Sequence, residues 1–106
     1  MDIQKLFNID GKTALITGGS RGIGEMIAAG FLANGVKVYI TARKEAPLIE
    51  KAKELSEKFS GDCIAIPCDL SNMEGIKKLA FDYLDYEDSL DILVNNAGAA
   101  WGEPYE

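Results

Sequence analysis

A chain of 106 residues allows one domain at most. With 47% hydrophobic and 26% charged residues it has the balance of an ordinary globular protein and is neither disordered nor collagen-like. Eleven basic against 17 acidic side chains leave a net charge of -6, which disfavours nucleic-acid backbones and anionic membrane surfaces as partners.

No apolar run is long enough to span a bilayer. The opening residues 1–7 lack the basic-then-apolar order of a secretory signal, and Asp2 stands where myristoylation needs glycine. The expected location is the cytosol.

Asp10-Gly11 signals a turn before the short, β-branched apolar run 13–17, the first expected strand. Glycines follow at 18, 19, 22 and 24. Met26, Ile27, Phe31 and the alanines around them then read as a small-residue apolar helix. Asn34-Gly35 stops it, because glycine takes the left-handed conformation at no steric cost. Residues 36–41 form the second expected strand. Pro47 suits the first turn of a helix. On that helix Leu48, Ala52, Leu55 and Phe59 recur at helical spacing, opposite Lys51, Lys53, Glu54, Glu57 and Lys58, and Gly61 is expected to end it.

Residues 63–68 form a third expected strand, with Cys63 and Cys68 on opposite faces roughly 16 Å apart, too far for a disulfide. Both are expected to be buried fillers. Two cysteines and no histidine give no metal site. Ser71 and Glu74 have the spacing of a capping box, opening a helix whose expected buried stripe is Ile76, Leu79, Ala80 and Tyr83. Residues 90–94 are the fourth strand and residues 95–98 the loop after it. From Leu79 onward the chain carries acidic but no basic side chains, read as a solvated surface. The alternation is βαβαβαβ. Strands that are nearly continuous apolar runs are buried on both faces, which predicts an α/β fold with a doubly wound parallel sheet.

The glycine loop sits between a strand and a helix. Its spacing is T-G-x-x-x-G-x-G from Thr17 to Gly24, not G-x-G-x-x-G, and it lacks the G-K-[ST] ending of a nucleotide-hydrolysing loop. A helix opening near Gly22 presents unpaired N–H groups and the positive end of its dipole, which together suit a pyrophosphate. Gly18 would let the chain bend after the strand, Gly22 would leave room for phosphates, and Gly24 would allow close helix–strand packing. The bland alternative is a tight turn without a ligand.

The run T-G-G-S-R-G-I-G from Thr17, N-N-A-G from Asn95, and Asp69 just after the third strand together resemble the short-chain dehydrogenase/reductase family. The resemblance covers essentially the whole chain and implies a Rossmann fold, here its N-terminal βαβαβαβ portion. By that resemblance Gly18, Gly22 and Gly24 shape a phosphate loop, while Ser20, Arg21 and Ile23 contact phosphates or the adenosine ribose. Asp69 and the backbone of Leu70 face the adenine. Asn95 helps hold the sheet, and Asn96, Ala97 and Gly98 line the ribose side of the cofactor.

NAD-preferring sites carry a carboxylate at the end of the second strand. Here Arg43 and Lys44 follow that strand, and Arg21 lies in the facing glycine loop. A guanidinium suits a phosphate through charge and paired donors, so the expected cofactor is NADP, its 2′-phosphate clamped by Arg21 and Arg43. The alternative is that Arg43 and Lys44 merely begin a solvated loop.

The family's chemistry uses a Ser and a Tyr-x-x-x-Lys pair. Four residues after Tyr39, Tyr83 and Tyr86 stand Arg43, Glu87 and Leu90, and Tyr105 has no room for a partner. No catalytic residue is therefore assigned. The expectation is that residues 1–106 are a single dinucleotide-binding domain, the N-terminal part of a longer reductase and inactive alone. It would leave Ile92, Leu93 and Val94 on an open apolar edge.

The complete enzyme is expected to be a homo-oligomer passing hydride between NADPH and a carbonyl substrate. Residues 9–17 and 95–104 look most like 3-oxoacyl-(acyl-carrier-protein) reductases, the rhamnolipid-synthesis branch among them, which suggests an acyl thioester. A rival from another class is a non-catalytic NADP-binding regulatory or assembly module. A methyltransferase with a similar loop is disfavoured by residues 95–98 and by the basic pair after the second strand.

Overall fold

The apolar runs pair as one parallel sheet in the computed structural model, which describes residues 9–18 and 22–96. Strand β1 (Thr13–Thr17) lies between β2 (Lys37–Thr41) and β4 (Ile92–Asn95), and β3 (Cys63–Ala65) flanks β2, giving the order β3-β2-β1-β4. Leu15 registers with Tyr39 on one side and Leu93 on the other. Helices α1 (Gly22–Ala33), α2 (Glu45–Phe59) and α3 (Met73–Leu84) connect the strands.

Because side chains alternate along a strand, the sheet builds two cores. Ala14, Ile16, Val38 and Ile40 meet Ala28 and Leu32 of α1 and Leu48, Ala52 and Leu55 of α2 on one face. Leu15 and Tyr39 meet Ile66, Cys68, and Leu79 and Tyr83 of α3 on the other. Both faces of β1 and β2 are covered, as their continuous apolar runs require, whereas the run in β4 departs from that expectation: none of its residues is buried. No helix among the described residues is long and apolar enough to cross a membrane.

Helix α1 buries Gly24, Ala28 and Leu32, while Ile27 and Phe31 are half-buried and Met26 is exposed. Small residues on its inner face let it lie close to the strands. Gly35 takes a positive φ and closes the turn into β2 as expected. Helix α2 ends one residue earlier than expected: Ser60, not Gly61, adopts the left-handed conformation, and its N–H bonds to the Ser56 carbonyl.

The capping box at α3 does not form. Asn72 is the cap, its side chain accepting the Gly75 N–H at 2.7 Å, because Ser71 is committed to Asp69. Leu79 and Tyr83 are buried as expected, but Ile76 and Ala80 are exposed, turned toward the cleft described below.

Strand pairing by residue stops at Ala65, yet the ladder continues: Ile66 N–H donates to Ile40 at 2.9 Å and Cys68 N–H to Ala42 at 3.0 Å. Pro67 sits between them, its nitrogen toward the sheet edge, where a missing donor costs nothing. Cys63 and Cys68 are free, buried and on opposite faces. At the other edge Leu93 is 61% exposed, while Ile92 and Val94 pack partly on the α1–α2 core.

Candidate functional site

All strands run parallel, so the segments leaving β1, β2 and β4 gather at one edge, at the point where the strand order reverses direction about β1. Gly18 follows β1 with φ +73°, and its N–H donates to the Thr41 carbonyl at 2.8 Å. Gly22, with φ +65°, opens α1, and a Cβ added there would meet nothing within 4 Å. Gly24 differs: a Cβ would overlap the Gly18 carbonyl oxygen and come within 2.8 Å of the Asn96 amide nitrogen. The missing side chain at 24 thus lets α1 seat against the ends of β1 and β4, while the described residues leave the space above Gly22 open.

The ends of β1 and β4 are stitched together by polar groups. Thr17 Oγ1 accepts the Asn96 N–H at 2.7 Å, and lies 3.2 Å from Asn95 Oδ1 and 3.4 Å from the Val94 carbonyl oxygen. The Asn96 side-chain amide donates to the Gly18 carbonyl at 3.4 Å. At the end of β2, Thr41 Oγ1 lies 2.8 Å from Cys68 Sγ, both buried. Asp69 Oδ1 accepts both the Ser71 N–H at 2.9 Å and the Ser71 hydroxyl at 2.6 Å. Those two bonds, with the positive charge of Arg43, hold the Asp69 carboxyl below its usual range.

These segments line an open cleft of about 1780 Å³. Of the residues expected to shape or contact the cofactor site, it brings together Gly18, Ile23, Arg43, Asp69, Leu70 and Asn96, with Lys44 and Asn95 beside them. Gly22 and Gly24 do not line it: Gly22 stands in the open at the helix start and Gly24 is buried beneath. Ser20, Arg21, Ala97 and Gly98 lie outside the described residues. Away from the loop, the cleft continues past Ile76, Leu79 and Ala80 to Leu93. Lys51 sits at its wall, bridging Glu25 of α1 and Glu54 of α2 at 3.1 Å each. Among the described residues no acidic, cysteine or histidine cluster could hold a metal.

Sequence reasoning missed the Thr17 junction, the hold of Ser71 on Asp69 and the place of Thr41 and Cys68 in the wall. The signal for Thr41 and Cys68 was available, since residues at the carboxyl ends of parallel strands form the crevice. The Ser71 contact was hidden by a capping box that matched the spacing equally well.

A model of the family described as short chain dehydrogenase matches residues 12–106. The chain belongs to the short-chain dehydrogenase family. Among curated members, the rhamnolipids biosynthesis 3-oxoacyl-[acyl-carrier-protein] reductase of Pseudomonas aeruginosa is 49% identical over 100 residues, covering 94% of this chain and 38% of that protein. A fatty acyl-CoA reductase of Acinetobacter baylyi is 42% identical over 98 residues, 91% of this chain and 33% of that protein. The chain therefore spans less than two-fifths of these relatives.

Solved structures of short-chain dehydrogenases share its Rossmann architecture. The RhlG/NADP active-site complex of Pseudomonas aeruginosa matches with a TM-score of 0.81 and 49% identity, over 85% of this chain and 36% of that one. L-sorbose reductase of Gluconobacter frateurii, complexed with NADPH and L-sorbose, matches with a TM-score of 0.82 and 40% identity, over 86% of this chain and 35% of that one.

Proposed function

We propose that residues 1–106 form the NADP-binding part of a longer short-chain reductase, which passes hydride between NADPH and a carbonyl or hydroxyl substrate. One observation carries this: a single cleft gathers Gly18, Ile23, Arg43, Asp69, Leu70 and Asn96 at the carboxyl edge of the sheet. The space kept open above Gly22 and the exposed start of α1 fit a pyrophosphate. Arg43 follows β2 where an NAD site would carry a carboxylate, and with Arg21 it takes the 2′-phosphate. Asp69 and the Leu70 backbone border the adenine, and Asn96 with Ala97 and Gly98 the nicotinamide ribose.

When bound, NADPH supplies the hydride. The side chains named here bind and orient it, and the acid that serves the substrate oxygen lies elsewhere in the complete enzyme. Among the described residues no strand pairs with the outer edge of β4, and Leu84, Leu90 and Leu93 are exposed, which supports a sheet that continues beyond this strand in the complete enzyme. The kinship with 3-oxoacyl-[acyl-carrier-protein] and fatty acyl-CoA reductases supports an acyl thioester as substrate of the complete enzyme.

Titration of the chain with NADPH and NADH tests the cofactor assignment. NADPH binds more tightly, and Arg43→Ala weakens NADPH roughly tenfold, the scale of one charge-assisted hydrogen bond, while NADH is unaffected. Equal affinities in the wild-type chain would refute it.

A further inference from the structure

We propose that Ser71 and Gly75 are positioning residues that preset Asp69 and the Leu70 backbone to read the adenine edge, so that the chain distinguishes adenine from a 6-oxopurine in the same dinucleotide. The proposal rests on the NADP reading above and concerns how that site chooses its base.

Three contacts carry it. The turn starts from a fixed point, because Cys68 N–H donates to the Ala42 carbonyl at 3.0 Å. Ser71 then takes Asp69 Oδ1 with both its N–H and its hydroxyl, at 2.9 and 2.6 Å, which sets the direction of the carboxylate. Finally the first turn of α3 presses on the backbone of the same residue. A Cβ at Gly75 would overlap the Asp69 carbonyl oxygen and stand 2.6 Å from its carbonyl carbon.

The neighbour at Gly75 is backbone, so it cannot swing aside as a flexible side chain would. An added methyl must displace the 69–70 turn or the start of α3. Helix formation does not explain the glycine, since glycine is a poorer helix former than alanine. Close approach to Asp69 does.

The chemistry follows from the donor pattern of the base. Adenine offers an exocyclic amino group, and a carboxylate only accepts. A 6-oxopurine turns an oxygen toward the same place, so acceptor would face acceptor. The Ser71 bonds and the charge of Arg43 hold the Asp69 carboxyl below its usual range, so it is an acceptor only at neutral pH.

The test is direct binding of NADPH and of its reduced hypoxanthine analogue to the 106-residue chain, followed by the fluorescence of the reduced nicotinamide. The wild-type chain prefers the adenine form. Ser71→Ala and Gly75→Ala each shrink the ratio of the two dissociation constants by roughly three- to tenfold, the scale of one hydrogen bond. The loss falls on NADPH, whereas general damage to the fold would weaken both ligands alike. Ser71 is exposed, so Ser71→Ala decides the matter even where Gly75→Ala does not fold. A wild-type chain that binds both forms equally, or an unmoved ratio in Ser71→Ala, overturns the proposal and leaves the NADP reading standing. A wild-type chain that binds neither removes both.

Discussion

The hydroxyl of Thr17 accepts the backbone N–H of Asn96 at 2.7 Å, joining the strand that opens the glycine loop to the strand that ends in the second family motif. Thr17 is buried, so this N–H has no easy exchange with water. Thr17→Val keeps the shape and removes the oxygen, which leaves a donor unsatisfied at a cost of about 1–3 kcal/mol. Urea denaturation checks this through a lower midpoint at unchanged slope, with Thr17→Ser close to wild type. Since Asn96 also holds the Gly18 carbonyl, NADPH affinity falls in Thr17→Val as well.

A second junction sets the pH limits of stability. The Glu87 carboxylate accepts from the buried Tyr39 hydroxyl and pairs with Lys37 at 2.8 Å. Lys37 and Tyr39 hold its pKa below the ordinary 4.5. A depressed carboxyl contributes stability above its unfolded value, and that contribution is lost as pH falls below 4.5 through the folded value. Lys37, bonded to Glu87, and Tyr39, desolvated and bonded to Glu87, are both raised. Their contribution is complete below 10 and is lost as pH rises beyond it. Thermal midpoints measured across pH should form a plateau between these limits. Glu87→Gln lowers the plateau and flattens the acid side, where Asp69 leaves a residual slope.

Much of the fold was legible because the strands needed it so. Residues 13–17 are apolar at every interior position, and only a strand covered on both faces uses such a run. Leu48, Ala52 and Leu55 likewise declared the face of α2. Local polar choices were less legible. Ser71 and Asn72 both suit a helix cap, and only the position of Asp69 decides that Ser71 is spent elsewhere. Ile76 and Ala80 share helical spacing with Leu79, yet periodicity does not say how wide the covered stripe is, and here the cleft takes that flank. Of the six expected cofactor residues that line the cleft, Gly18, Ile23, Asp69, Leu70 and Asn96 came from the family motifs and Arg43 from its place after the second strand. Thr41 and Cys68 could have been inferred from their places at the carboxyl ends of parallel strands, whereas the bond from Asn96 to Thr17 emerges only when β1 and β4 are laid side by side.

Cys63 should be chemically silent in the native state. It is buried against α2, and burial pushes its thiol up to about 12. The thiolate is the reactive form, so at neutral pH almost none is present. Mass spectrometry after iodoacetamide treatment at pH 7.5–8 should find Cys63 unmodified in buffer and fully alkylated in denaturant. Rapid alkylation without denaturant would mean that α2 lifts from the sheet far more readily than its buried Leu48, Ala52 and Leu55 suggest.

The end of α2 offers a gain in stability. Ser60 holds φ 52° and ψ 40°, a conformation that costs a residue with a Cβ about 1–2 kcal/mol. Glycine adopts it freely, although its unfolded chain is more disordered, which returns about 0.5–1 kcal/mol of the advantage. Ser60→Gly should therefore stabilise the chain by roughly 0.5 kcal/mol, and it keeps the bond from the N–H of residue 60 to the Ser56 carbonyl. Ser60→Val should move the other way by about 1 kcal/mol or more, since a β-branched side chain fits positive φ worst. Paired urea curves at constant slope measure both. If the two variants shifted the midpoint in the same direction, backbone strain would not govern this position, and the helix would have to end by some means other than the left-handed turn at Ser60.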